Sequence, residues 1–493
     1  MPTFRPFLRR VFVVLNFAVL LIVSGSVQAY AGAGAAPTSP EPTLEQRVSR
    51  MEAYMANSDP AAATVPAGLQ AVGPGHNAWM MVSAMLVFLM TLPGIAIFYG
   101  GLVRVKNVLS IMAWCLGITS MVAVIWWAFG YSLVFGKSFH SGILGGSEFF
   151  FFNHVEGAPN PDYSYWVSHV VFAMYQLMFA IITPAVLIGA IAERMKLSAV
   201  LWFTGLWLLF VYCPLAHMVW GSTGLMNGEW NAHASIKTID FAGGMVVEMA
   251  SGWSALILCL IVGPRLGFGK TPMPPHSIVL CMIGTGLLWV GWYGFNAGSA
   301  MAADGIAGNA FATTTFAAAV GSGTWAALEY FWRGKASVLG FCSGAIAGLV
   351  GVTPACGFIT SSSAVLLGLL SGAISFLACT KIKSFFRYDD ALDVFGIHGV
   401  SGMLGVIFTG VFATSRVNGN LLTHLRDVVG HTLWRAQLEG MAVTIVLAVV
   451  MSTLIGFGVK WTIGLRPTRE MELIGLDESE HGEKGYIYDA NSI

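Results

Sequence analysis

The sequence predicts an all-α polytopic membrane protein, and three observations carry that prediction. The chain is 56% hydrophobic and only 10% charged, whereas soluble domains carry about 25% charged residues. Its apolar residues gather into eleven stretches, each close to the 20 or so residues that a bilayer-crossing helix needs. Basic residues concentrate in alternate connections between those stretches. Mean hydropathy is +0.71. Lys+Arg and Asp+Glu balance at 25 each, so net charge gives no sign of a nucleic-acid partner. The 58 glycines suit close packing of helices in lipid.

In chain order, Arg5, Arg9 and Arg10 precede an apolar run from Val11 to Val23, and small residues follow around Val27-Gln28-Ala29. Residues 1–29 read as a secretory signal peptide, since the apolar core is short for a span; a retained first span is the alternative. Residues 30–75 are rich in Ala, Pro, Ser and Thr and read as an extracytoplasmic linker. Within it, Leu44, Val48, Met51 and Met55 fit one face of a short helix over Thr43 to Met55, read either as a subunit-contacting element or as part of a mobile tail. The transmembrane domain runs over 76–461. Its eleven segments lie at about 78–102, 107–135, 163–191, 197–220, 241–263, 277–299, 305–331, 337–355, 361–381, 394–414 and 437–460. A polar tail occupies 462–493. The seven cysteines fall in or beside these segments without metal-ligand spacing and read as packing residues. No metal site and no cofactor are expected.

The connections give orientation. One set carries Arg104/Lys106, Arg194/Lys196, Arg265/Lys270, Arg333/Lys335, Lys381/Lys383/Arg387 and, in the tail, Lys460, Arg466 and Arg469. The other carries Lys137, Lys237, nothing basic in two loops, then Arg416, Arg426 and Arg435. The first set is placed in the cytoplasm by the positive-inside rule. The expected location is the inner membrane, with the processed N-terminus outside and the C-terminus inside.

Two ionisable side chains fall inside apolar segments: Glu248 on the fifth and His398 on the tenth. A charge at mid-bilayer costs roughly 2.5–3.5 kcal/mol on insertion scales, so such residues usually face a cavity or each other. They lie five segments apart, an odd number, so their helices run in opposite directions. Each follows an aspartate, Asp240 outside and Asp393 inside. That is the pattern of two inverted five-helix repeats with a final helix outside them, the site forming near the midplane. At 1.5 Å per residue, Glu248 lies about 12 Å in from Asp240 and His398 about 7–8 Å in from Asp393.

Several blocks then carry a resemblance: DFAGGMVV from 240, WYGFNAGSA from 292, CSGAIAGLVGVTPACG from 342, DDALDVFGIHGVSG from 389 and GLDESEHGE from 475. The chain resembles the Amt/MEP/Rh ammonium transporters, most of all the bacterial Amt branch, over about 76–486. The resemblance implies eleven membrane helices, a homotrimer with a pore in each subunit, and ammonium, with methylammonium as a second candidate, as cargo. It implies an outer binding site of Trp220, Phe179 and Ser299, with Phe179 and Phe295 as the gate beneath. Aromatic faces attract a partly desolvated cation, and a serine hydroxyl accepts an N–H bond. It makes Asp240 a recruitment or structural residue, the structural reading being a helix cap. At the centre of the pore, where most bacterial members have two histidines, His398 matches the second and Glu248 stands at the first, as in some fungal members. The expected scheme is capture of NH4+, deprotonation, and passage of NH3 beyond Glu248 and His398, with separate proton transfer left open. The tail is implied to meet a neighbouring subunit and a PII-type regulatory protein. An ammonium sensor with little flux is the alternative. An intramembrane haem enzyme would need paired histidines, and His169, His217 and His398 do not pair by position.

Overall fold

The computed structural model describes residues 43–57, 72–138 and 141–487. The signal peptide and most of the linker lie outside the described residues. Within them the fold is helical, with isolated β-bridges and no strand. Among the described residues nine helices are long and apolar enough to cross a membrane: Pro74–Leu102, Val105–Phe135, His169–Ile191, Leu197–Trp220, Gly244–Val262, Ile278–Ala300, Ser361–Phe386, Phe395–Phe412 and Leu433–Thr462. Helices Gly305–Arg333 and Val338–Val352 occupy the seventh and eighth segments. Large apolar side chains such as Leu116, Val124, Leu260, Met282, Val446 and Leu454 stand exposed around this bundle. An apolar exterior of that kind is stable against lipid tails rather than water, and the chain is a multi-pass membrane protein.

The third helix starts at His169, not near residue 163. Tyr163 is drawn into the preceding loop, where its hydroxyl donates to Phe135 O at 2.6 Å and its ring stacks on Phe172. The linker helix forms at Leu44–Met55 under a Thr43–Gln46 capping box. It is seated on the bundle through Tyr54, whose ring meets His76 and Trp166, and through an Asn57–Asp304 hydrogen bond of 3.3 Å.

The fifth and tenth segments pack against each other through glycine. A β-carbon on Gly252 would stand 2.3 Å from Gly399 N and 2.4 Å from its Cα, and one on Gly402 would stand 3.1 Å from Glu248 Cβ. Partner numbers fall along one helix as they rise along the other, so the two run antiparallel. Fifth and tenth helices thus enter from opposite faces, as the inverted repeat requires.

The tail folds onto the face opposite Trp220. Asp477 accepts the N–H groups of Leu109 and Ser110 at 3.0 and 2.7 Å, and Glu480 accepts that of Leu197 at 2.7 Å. Carboxylates therefore cap the starts of the second and fourth segments, where unpaired amides and the helix dipole favour negative charge.

Candidate functional site

The aromatic cluster sits at the mouth of the bundle. Phe179 and Phe295 stack with ring centroids 4.2 Å apart, and both rings are buried. Trp220 stands edge-on to Phe179 at 5.9 Å, and its Nε1 donates to Asp240 O at 2.9 Å. Ser299 Oγ donates to Phe295 O at 2.8 Å, so its own lone pairs remain as acceptors. Tyr175 buttresses this arrangement. Its hydroxyl reaches Phe295 O at 2.9 Å and Ser299 Oγ at 3.2 Å. Phe179, Trp220 and Ser299 all line one cavity of about 780 Å³, while the Phe179–Phe295 stack closes its floor.

Asp240 holds the entry of the fifth helix. Its carboxylate accepts four consecutive amides, Gly243 and Gly244 at 2.9 and 2.7 Å, Met245 and Val246 at 2.8 and 3.3 Å. Gly243, at φ +107°, makes the turn that aims those amides back; a β-carbon there would meet Val247 at 2.7 Å. Burial pushes the Asp240 carboxyl up to about 6, against the four amides that lower it.

Beneath the stack, Glu248 and His398 meet. His398 Nδ1 lies 2.6 Å from Glu248 Oε2, with exposures of 7% and 1% for the two residues. Glu248 sits in a wide first turn, its N–H donating five residues back to Gly243 O at 3.0 Å, and His398 lies in a similar turn over Phe395–Gly399. Such π-turns are frequent at functional sites. The pair lines a small cavity of about 20 Å³ whose other walls include Ile95, Phe98, Ile182, Val186, Leu288 and Trp292. That is room for about one water-sized molecule.

Asp393 does not repeat the part of Asp240. It ion-pairs with Lys383 at 2.6 Å and stays partly exposed. The carboxylate that caps the tenth helix is Asp390, which accepts Phe395 N–H at 2.7 Å and is fully buried. The correction has a signal in the sequence: Asp390 precedes His398 by eight residues, as Asp240 precedes Glu248. Tyr175 carried no sequence signal beyond apolar burial, while Trp292, which donates to Thr353 Oγ1 at 2.9 Å, opens the block WYGFNAGSA but was not singled out as a site residue. His169 and His217 are held by other groups, Tyr131 Oη at 2.5 Å and Val134 O at 2.6 Å respectively. Among the described residues no cluster of His, Cys, Asp or Glu is suited to a metal.

An acid–base pair shut inside an apolar passage, beneath an aromatic mouth in a multi-pass helical bundle, defines the class as a membrane transport protein. The model of the Ammonium Transporter Family matches residues 78–486, and the chain belongs to that family. It is 41% identical over 412 residues to the ammonium transporter of Bacillus subtilis, covering 84% of this chain and 98% of that one. Identity to the ammonium transporter Amt1 of Archaeoglobus fulgidus is 39% over 414 residues, with 84% and 99% covered. Among solved structures, Saccharomyces cerevisiae Mep2 superposes with a TM-score of 0.76 at 33% identity, covering 88% of this chain and 95% of that one.

Proposed function

We propose that this protein carries ammonium across the membrane by deprotonating it, the Trp220 face being extracytoplasmic. The observation that carries the reading is the Glu248–His398 contact of 2.6 Å inside a cavity of about 20 Å³. NH4+ is captured between Trp220, Phe179 and Ser299, where ring faces and the serine oxygen replace part of its water. Below the stacked phenylalanines it gives its proton to the hydrogen-bonded pair, and NH3 goes on alone. A neutral molecule of one water's size crosses an apolar passage at small cost, whereas potassium has no proton to leave behind and must cross as a charge. Glu248 and His398 share one short hydrogen bond, and that pair is the group through which the released proton travels. In this reading each copy in a homotrimer has its own path, with the fifth and tenth helices meeting at its centre, and a PII-type regulatory protein meets the tail face. Transport is favoured over the sensor reading because the relatives matched across 84% of the chain are named as transporters.

The test is current from the full chain in liposomes on ammonium and potassium pulses at several pH values. Glu248→Ala and His398→Ala are each expected to lower ammonium current about 10²-fold, the typical size of an acid–base contribution. Glu248→His is expected to keep transport but to shift its pH profile or its rejection of potassium. Wild-type current from Glu248→Ala at every pH would remove the pair from the mechanism.

A further inference from the structure

The cavity above the stacked phenylalanines contains a carboxylate with no part in the path just described. Glu229 lies in the loop between the fourth and fifth helices and lines the same cavity of about 780 Å³ as Trp220 and Ser299. Local hydrogen bonds fix its position. Buried Asn227 donates to Gly221 O at 2.9 Å and accepts Trp230 N–H at 3.0 Å, while Gly228 N–H donates to Thr238 O at 2.9 Å. Glu229 is thereby held between two pinned residues, with its side chain partly open to the cavity. On the far wall, Asn418 is buried and uses its Oδ1 to accept Asn420 N–H at 3.0 Å. Its NH2 end is left as a donor in the cavity that Glu229 also lines. A carboxylate's two oxygens have about four lone-pair sites to offer.

The other charged groups of this cavity have commitments of their own. Lys137 pairs with Asp162 at 3.8 Å. Lys237, outside the lining, donates from Nζ to the carbonyl of lining residue His424 at 3.4 Å. Asp240 is occupied by four amides. Among the described residues no basic side chain forms an ion pair with Glu229.

We propose that Glu229 is a first capture site for a small monovalent cation bearing N–H donors, upstream of Trp220 and Ser299. The proposal rests on the ammonium reading and adds a step to it: the cation is concentrated at Glu229, then passed down the same cavity to the aromatic site. Burial pushes the Glu229 carboxyl up to about 7, so capture strengthens as external pH rises from 6 to 8 and the group ionises. His424 and Asp240 line the same cavity. The part due to Glu229 is therefore the difference between wild type and Glu229→Gln, which keeps the shape and removes the charge.

The test uses the full chain in liposomes, with ammonium titrated at external pH 6 and 8. At pH 8, Glu229→Gln is expected to raise the half-saturating ammonium concentration about threefold, in keeping with a partly exposed charge pair. At pH 6 the two proteins are expected to coincide, and maximal current is expected to be the same in both. Crystals of the full chain soaked in Tl+ at pH 8 are expected to show an anomalous peak at Glu229 that is absent from the variant. An unchanged half-saturation at pH 8, or an equal shift at both pH values, overturns the proposal. Should wild type itself carry no ammonium current, the transport reading falls, and the thallium peak alone decides the site.

Discussion

Asp240 shows how much one side chain decides. Four buried amides at the start of the fifth helix have the same carboxylate as their partner. Each buried amide left alone costs about 1–3 kcal/mol. Asp240→Ala strands all four. Asp240→Asn keeps one carbonyl oxygen and turns a donor toward the remaining amides. Thermal unfolding of the purified protein is therefore expected to rank wild type above Asn, and Asn above Ala. Equal stability of all three would mean that the helix start is held by something other than its cap. The same reasoning separates the two aspartates before His398. Asp390 accepts a helix amide in a fully buried position, while Asp393 faces Lys383 at a partly exposed one. In the run DDALD, three acids stand within five positions. Only the matched eight-residue spacing singles out Asp390.

At the scale of helices, the approach of the fifth and tenth decides whether an acid and an imidazole can share a proton. Gly252 has no room for a β-carbon against Gly399. Gly252→Ala is expected to push the helices apart, lengthen the 2.6 Å contact of Glu248 with His398, and lower ammonium current about 10²-fold, the scale of an ångström-sized misplacement. Gly458→Ala, on the eleventh segment with open space beside it, is the control and is expected to behave as wild type. Monodisperse elution of both variants shows whether the loss lies in the site or in folding, and a Gly252→Ala protein with full current would show that the helices need not approach so closely. Much of this level was legible beforehand. Apolar runs marked the segments, and the cost of buried charge marked Glu248 and His398. The glycine contact was not, because one close-approach glycine among 58 looks like the rest. The start of the third helix was not, because Tyr165, Trp166 and Val167 extend the apolar run upstream of His169.

At the scale of the molecule, the face opposite Trp220 is tied together by charges far apart in sequence. Arg265 forks onto Asp389, with Nη2 2.7 Å from Oδ1, and lies 3.5 Å from Glu193, which also binds Arg104 at 2.6 Å. Fully buried Arg194 donates to the carbonyls of Ala190, Ala192, Gly263 and Asp389. The tail joins this lock through Glu472, which accepts Leu266 N–H at 3.0 Å and pairs with Arg466 at 2.5 Å. Partners separated by up to 206 positions leave no local pattern, so the lock was invisible in the sequence beyond its basic loops. Burial raises the carboxyls of Glu193 and Asp389, but the guanidinium groups outweigh it and hold both below the ordinary carboxylate range. A lowered folded value means that the unfolded chain takes up protons first as pH falls. The stabilisation is then complete above the unfolded value of about 4 and is lost as pH drops through the folded values beneath it. Arg265→Ala removes a buried partner from two carboxylates, a change worth about 3–5 kcal/mol. Thermal unfolding is expected to place the variant well below wild type from pH 7 to 5, with the gap narrowing below pH 4 as Asp389 and Glu193 protonate in both. A gap that stayed constant into acid would show that Arg265 acts by packing, through the stem of its side chain, and that its charge is incidental to how this face is held.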